Sequence, residues 1–283
     1  MSASRFLRAA GALILAASLG VACSESETEV LRIQRDGTFR FHDHDGFPHY
    51  VGHFRARSVQ TRQHDASTAT GGLSWYEDVL FESGGGQGSS FLASSDSNRV
   101  DLDGNYSATG LAIYNDQLYQ LTGGSGEVLV YDVATLEQAD TLKYSGEAWG
   151  VCNKDDEFFV MSNGTSQLTT RSLSTFDFIK SILVTLNGED LAGLNELECV
   201  GDQIWANIAD PDNPGRSSTI VAIDSNTGEV EATIDASDIQ SENLADTDAM
   251  PLNGISVRDD ATMWIAGQGW PEIHQIELVP VDV

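Results

Sequence analysis

Positive charge is scarce in this chain. Its 283 residues carry 15 Lys and Arg against 43 Asp and Glu, a formal net charge of −28. Such a surface repels phosphate backbones and anionic headgroups, which excludes nucleic acid and a bare lipid surface as partners. The simplest use of so much acid is a solubility coat, and the charge says nothing about the fold. Cysteine is scarce as well. Cys23, Cys152 and Cys199 stand in no CxxC or Cys/His spacing, so no zinc site is expected. Cys152 and Cys199 are open to two readings, a disulfide or two buried thiols. Helical periodicity is weak throughout, and the apolar run from Ala9 to Ala22 is too short to cross a membrane.

That run has another use. "MSASRFLRAAGALILAASLGVAC" sets Arg5 and Arg8 before an apolar stretch and ends in small residues directly before Cys23. This is the layout of a secretory signal over residues 1–22. Small residues before a Cys suit a bacterial lipoprotein signal peptidase, so Cys23 is the expected lipidation site. The expected product is exported and lipid-anchored in the bacterial cell envelope, with the membrane touched only through the lipid. Without the two arginines its net charge is −30. Residues 23–50 then read as a tether. It ends in "FHDHDGFPHY", where His42, Asp43, His44 and Asp45, with His49 and His53 nearby, invite a metal reading. Alternate residues of an extended chain share a side, so His42 and His44 reach one ion in that reading. A solvated linker is preferred, and neither metal nor cofactor is expected.

From residue 51 to 283 the chain repeats itself. Five segments share one form, a small or polar residue, an apolar strand, a polar turn and a second apolar strand. They are "GGLSWYEDVLFESG" from Gly71, "TGLAIYNDQLYQLTGG" from Thr109, "WGVCNKDDEFFVMSNG" from Trp149, "NELECVGDQIWANIAD" from Asn195 and "NGISVRDDATMWIAGQ" from Asn253. Turns such as "YNDQ" and "NKDD" are rich in Asn and Asp, as two-residue hairpins require. Segments such as "GEVLVYDVATLEQADTL" follow as second hairpins. Four strands per unit, with starts separated by 38, 40, 46 and 58 residues, are the arithmetic of a five-bladed β-propeller with four-stranded antiparallel blades. "RARSVQT" is expected to pair with "EIHQIELVP" and close the ring with an N-terminal strand, since an open ring exposes edges.

In a propeller the first strand of each blade lines the central channel. The residue before it sits at one mouth, so Gly71, Thr109, Trp149, Asn195 and Asn253 are expected to converge there. Ligand sites favour such mouths. Trp149 offers an aromatic wall, and the two asparagines both donate and accept. The plainer reading is that these residues plug the channel and tie blades together, and for Asn253 it is preferred.

"LNELECVGDQIWAN", "LYQLTGG", "EAWGV", "PLNGISV", "GWPEIHQIEL" and "HDASTATGGL" resemble the bacterial and plant-type glutaminyl-peptide cyclotransferases. The resemblance runs from about Ser58 to Leu278 with the motifs in order. It implies a five-bladed propeller that converts an N-terminal glutamine of a peptide or protein to pyroglutamate. A monomer is expected. The resemblance also implies a binding Trp at Trp149 and an amide-binding Asn at Asn195. Other positions depart from the family pattern. Ala69 and Gly71 stand for a Phe and a Gln, Ser107 for an aromatic, Gly123 and Ala209 for Trp, and Gln268 for a Lys. Thr109 stands where the family has its proton-transfer Glu. The implied activity is therefore weak or altered, and the alternative is a non-catalytic propeller that binds a peptide or an envelope protein. Glu82, Glu147 and Glu196 are the nearest carboxylates, each better read as structural or solvated; strand alternation points Glu196 away from the side of Asn195. His64 reads as structural. "GGGQG" lacks the setting of a phosphate loop.

Overall fold

The structure, a computed structural model, describes residues 39–42, 48–210, 216–244, 252–258 and 261–281. The expected signal and Cys23 lie outside the described residues, as do Asp43, His44 and Asp45. The chain opens with β1 (Phe39–His42) and the long β2 (Pro48–Gln63). A first run holds β3 (Thr70–Tyr76), β4 (Val79–Gly84), β5 (Phe91–Ser94) and β6 (Arg99–Asp101). A second holds β7 (Leu111–Tyr114), β8 (Gln117–Leu121), β9 (Glu127–Asp132) and β10 (Gln138–Lys143). A third holds β11 (Val151–Lys154), β12 (Phe158–Met161), β13 (Gln167–Arg171) and β14 (Phe178–Leu183). A small hairpin, β15 (Thr185–Leu186) and β16 (Glu189–Asp190), leads to β17 (Leu194–Val200), β18 (Gln203–Ile208), β19 (Thr219–Asp224) and β20 (Val230–Asp235). The helix α1 (Ser237–Leu244) precedes β21 (Leu252–Val257), β22 (Met263–Gly267) and β23 (Glu272–Pro280). The small hairpin and the helix fall in the two longest repeat spacings and account for their extra length.

The result is an all-β, multi-sheet, propeller-like fold. The first three runs are separate four-stranded antiparallel sheets. The fourth and last are not separate. They merge into a nine-stranded sheet in the order β17-β18-β19-β20-β2-β23-β22-β21, with β1 paired to β2. The expectation of independent four-stranded units fails here because β2 is long enough to serve two neighbours. Gly52–Arg55 runs parallel to β20, and Phe54–Gln63 runs antiparallel to β23 with Arg57 opposite Glu277. One strand thus covers two sheet edges that would otherwise be open to pairing with other chains. His49, at its start, is clamped between Asp202 (2.7 Å) and Glu231 (3.0 Å), and His53 bonds Thr233 at 2.7 Å. These histidines fasten β2 to the fourth run.

Local chemistry explains the hairpins. β7 and β8 are joined by Asn115 and Asp116, both left-handed at φ 51° and 57°. Asn and Asp tolerate that region, and two such residues give a turn whose twist matches the strands. The β11–β12 turn is one residue longer than expected, and Glu157 N–H closes it on Lys154 O at 3.0 Å. Strand alternation then fills the spaces between sheets. In β9, Leu129 and Tyr131 join the core toward the first sheet, while Val128 and Val130 join the core toward the third. Both faces are covered, so the strand reads as an unbroken apolar run. Each such buried side chain contributes roughly 1.5–3 kcal/mol.

The inner strands β3, β7, β11, β17 and β21 neighbour one another in that order, and β21 returns to β3. Cys152 on β11 and Cys199 on β17 form a disulfide, with Cα atoms 5.5 Å apart. It settles the open question about the two thiols.

Candidate functional site

The residues that open the inner strands meet at one end of the ring. Gly71, Thr109, Trp149, Asn195 and Asn253 line one cavity of about 430 Å³, and Gln268 joins them. Two of these backbones, and the residue before a third, are pinned by the sheet before them. Ser83 on β4 donates to Thr109 O at 2.5 Å. Ser162, after β12, donates to Asn195 O at 2.5 Å, and Asn207 on β18 donates to Leu252 O at 2.9 Å. Buried donors that reach a carbonyl of the next unit fix the mouth residues without touching a ligand. Sequence reasoning missed all three, because hydroxyl and amide side chains on short strands carry no periodic signal.

Thr109 is half-buried, and its hydroxyl donates to Ala148 O at 3.1 Å. Trp149 lies against the turn at Gly164, where a Cβ would approach its ring atoms to 2.5–2.7 Å. Gly164 is also left-handed at φ +79°, so both space and conformation require glycine. The two asparagines form a chain. Asn253 Nδ2 donates to Thr70 O at 2.9 Å, and Asn195 Nδ2 donates to Asn253 Oδ1 at 2.8 Å. Thr70 O can only accept, which sets the direction of both amides. Asn195 Oδ1 is left without a protein partner among the described residues, an acceptor at the cavity wall.

Beneath this floor the second residues of the five units meet on the axis. Four are glycine, Gly72, Gly110, Gly150 and Gly254, and the fifth is Glu196. A Cβ on Gly110 would lie 2.7 Å from Gly150 Cα, and one on Gly72 would lie 2.9 Å from Glu196 Oε1. The glycines admit the close approach, and the glutamate fills what they leave. Glu196 is 0% exposed, and neither carboxyl oxygen has a hydrogen-bond partner among the described residues. Burial raises its pKa well above the ordinary value, and nearby Glu198 adds to the rise. Burial likewise pushes Glu198 up to about 8.

These shifts make stability depend on pH. Glu198 is protonated when folded but ionised when unfolded between its ordinary 4.5 and about 8, so stability falls as pH rises through that window. His49 is held protonated by Glu231 first and Asp202 second, against burial, with its pKa raised from 6.5 to about 9. Its contribution is full below 6.5 and is lost as pH rises through about 9. Both slopes have the same sign. Thermal melts should show Tm falling steadily from about pH 5 to about pH 9, with Glu198→Gln and His49→Gln each flattening the curve. A Tm that rises over this range would refute both assignments.

Residues 38–278 match the family model described as glutamine cyclotransferase. The chain belongs to the glutamine cyclotransferase family. It is 28% identical over 226 residues to the glutaminyl-peptide cyclotransferase of Arabidopsis thaliana, covering 76% of this chain and 68% of that one. The crystal structure of Myxococcus xanthus glutaminyl cyclase superposes with a TM-score of 0.74 at 31% identity, over 82% of this chain and 99% of the other.

Within this cyclotransferase-family fold, the positions where the resemblance implies other residues gather at the mouth. Ala69, Ser107 and Ala209 line the cavity with Thr109 and Gln268. Gly123 is left-handed at φ +57°, and a Cβ there would lie 3.3 Å from Ser107 O. A Cβ on Gly71 would lie 2.9 Å from Thr109 Cα, so the Gln implied by resemblance does not fit without movement. No carboxylate or histidine lines the cavity among the described residues. Glu147 is exposed, with Oε1 beside Gly124. Glu196 is sealed under the floor, off the side of Asn195 as alternation requires. Glu82 accepts from Thr70 Oγ1 at 2.9 Å and pairs with His64 at 3.0 Å. Burial lowers the pKa of His64, but the Glu82 carboxylate outweighs it and the net shift is upward. His64 Nδ1 donates to Trp270 O at 2.6 Å. This pair bolts the start of the first sheet to the last turn.

Gly164 gives this cyclotransferase relative a test of Trp149. Gly164→Ala should displace the indole and weaken binding of a Gln-initiated peptide by about tenfold, the scale of one aromatic wall. Fluorescence titration measures it. A lower Tm with unchanged affinity would show that the ring position is irrelevant to binding.

Proposed function

We propose that the mouth binds the N-terminal glutamine of a peptide and cyclises it slowly to pyroglutamate with release of ammonia. One observation carries this reading: the cavity keeps Trp149 and Asn195 yet has no carboxylate on its wall. The reaction joins the α-nitrogen to the side-chain amide carbon and breaks the bond from that carbon to the amide nitrogen. One proton leaves the attacking amine, and one reaches the departing ammonia. Trp149 and the Asn195–Asn253 chain orient the substrate, with Asn195 Oδ1 accepting from a substrate N–H. Thr109 holds the position where a proton carrier belongs, and a hydroxyl does not exchange protons near neutral pH as a carboxyl does. General acid–base help is thereby absent, a deficit of roughly 10²–10⁴-fold.

The bare wall also supports a second reading, a propeller that binds peptide N-termini without turning them over. Ammonia release from a Gln-initiated dipeptide separates the two. A rate above the spontaneous one, lost in Asn195→Ala, supports the cyclotransferase. A spontaneous rate with retained binding leaves the binder.

The reading includes five blades closed by β2, a monomer, and export with a lipid on Cys23. The disulfide fits that compartment. Fatty-acid labelling that survives Cys23→Ala would reject the anchor.

A further inference from the structure

A charged pair stands behind the wall of the mouth. His64 and Glu82 are 3% and 14% exposed, and their side chains meet at 3.0 Å. Oxygen holds the imidazole from both sides. Nδ1 faces Trp270 O at 2.6 Å, and Nε2 faces Glu82 Oε1 at 3.0 Å. A backbone carbonyl and an ionised carboxyl only accept, so both ring nitrogens carry protons. The upward shift of His64 agrees with that state. Neither side chain lines the cavity, so neither touches a peptide bound there.

The pair reaches the cavity through Thr70. This residue is 0% exposed, and its hydroxyl donates to Glu82 Oε1 at 2.9 Å. With Nε2 protonated, the other acceptor in reach is Gly267 O at 3.5 Å, too long to replace that bond. Thr70 lies between Ala69 and Gly71, both on the cavity wall. Its carbonyl is the fixed end of the amide chain. Asn253 donates to it at 2.9 Å, and Asn195 donates to Asn253 at 2.8 Å. On the far side, Gly269 N–H donates to Thr68 O at 2.8 Å. Gln268, also on the wall, is caught between that bond and the Trp270 carbonyl that His64 holds.

We propose that Glu82 and His64 are positioning residues that set the mouth's choice between an amide and an acid. The inference rests on the reading that the mouth binds an N-terminal glutamine. An asparagine amide has two orientations of nearly equal shape, and its partners decide between them. Thr70 O decides for Asn253, and Asn253 decides for Asn195, which then shows Oδ1 to the cavity. That acceptor takes an N–H from a glutamine side chain and meets a glutamate carboxylate oxygen to oxygen. If the Thr70 hydroxyl loses Glu82, a buried donor is left unpaired, and the segment shifts to satisfy it. The Asn253 amide is then released to turn over, Asn195 follows, and Nδ2 faces the cavity instead. The mouth loses its hold on glutamine and gains one on glutamate.

The test is the ratio of affinities for glutaminyl-alanine and glutamyl-alanine, titrated calorimetrically into the full chain. The native ratio should favour the glutaminyl dipeptide. Thr70→Val keeps the backbone carbonyl, the branched shape and the net charge but lacks the hydroxyl. It should lower the ratio about tenfold, the scale of one hydrogen bond. Glu82→Leu should move it the same way, and Thr70→Val serves alone if Glu82→Leu does not fold. Thr70→Ser, which keeps the hydroxyl, should keep the native ratio. In an Asn195→Ala background neither change should alter the ratio, because both act through that amide. A lower Tm with the ratio unmoved would make the pair structural only and overturn the proposal. So would a ratio that still moves in Asn195→Ala, or one that falls as far in Thr70→Ser as in Thr70→Val. A native chain that binds neither dipeptide rejects the function reading and this inference with it. Binding of the glutaminyl dipeptide with an unmoved ratio rejects this inference alone.

Discussion

Thr109→Glu raises ammonia release from a Gln-initiated dipeptide by about 100-fold, the lower end of what a positioned proton carrier contributes. The position is suited to the change. Thr109 is half-buried and lines the cavity opposite Asn195, and its neighbours Gly71 and Gly123 carry no side chains to obstruct a longer residue. Its carbonyl is held by Ser83, so the backbone at 109 stays in place when the side chain is exchanged. A glutamate there, partly screened from water, can take the proton from the attacking amine and return it to the leaving ammonia. Thr109→Gln is the control. It has the same reach and no titratable group, so it should leave the rate where it was. Gains of equal size from Gln and Glu would mean that shape rather than proton transfer limits turnover. No gain from Glu, with peptide still bound, would place the reacting atoms elsewhere. Adding Gly71→Gln should reverse the gain by crowding the backbone at position 109 rather than improve it.

Removal of the disulfide lowers stability by about 4 kcal/mol, the loop-closure value for a separation of 47 residues. For a chain of this size that is roughly a 10 °C fall in Tm. The double variant Cys152→Ser/Cys199→Ser measures it without unpaired thiols, and a reductant on the native chain should reproduce it. The bond joins two adjacent inner strands, one following Trp149 and the other carrying Asn195. Loosening that joint should therefore also weaken peptide binding at the mouth. A Tm change under about 2 °C, well below that value, would show that the sheets on either side are held without it.

Much of the ring was legible from residue types. Five recurring openings followed by apolar strands announced the inner strands, and Asn115–Asp116 announced its turn through a backbone need that few residues meet. The pairing of "RARSVQT" with "EIHQIELVP" followed from the need to cover an edge, but not its register, which sets Arg57 opposite Glu277. The mouth was legible because equivalent repeat positions converge by geometry. What stayed hidden depended on contacts across sheets. The partner of Cys152, the carbonyls that Ser83 and Ser162 reach, and the space that Gly164 leaves for Trp149 are all set by distant segments. The helix Ser237–Leu244 was hidden for another reason. It buries Ile239 together with the polar Gln240 and Asn243, so no apolar stripe stands out in an acidic stretch. The sharing of β2 between two sheets was missed because the length of a strand does not reveal how many neighbours it serves.

That shared strand bears on how the molecule is made. Phe54 waits for Pro280, so β2 lacks its main antiparallel neighbour until the chain has been made as far as β23. Contacts so remote in sequence form slowly. A chain stopped before β23 leaves β2 without that partner, so it carries bare edges rather than being a feebler version of the protein.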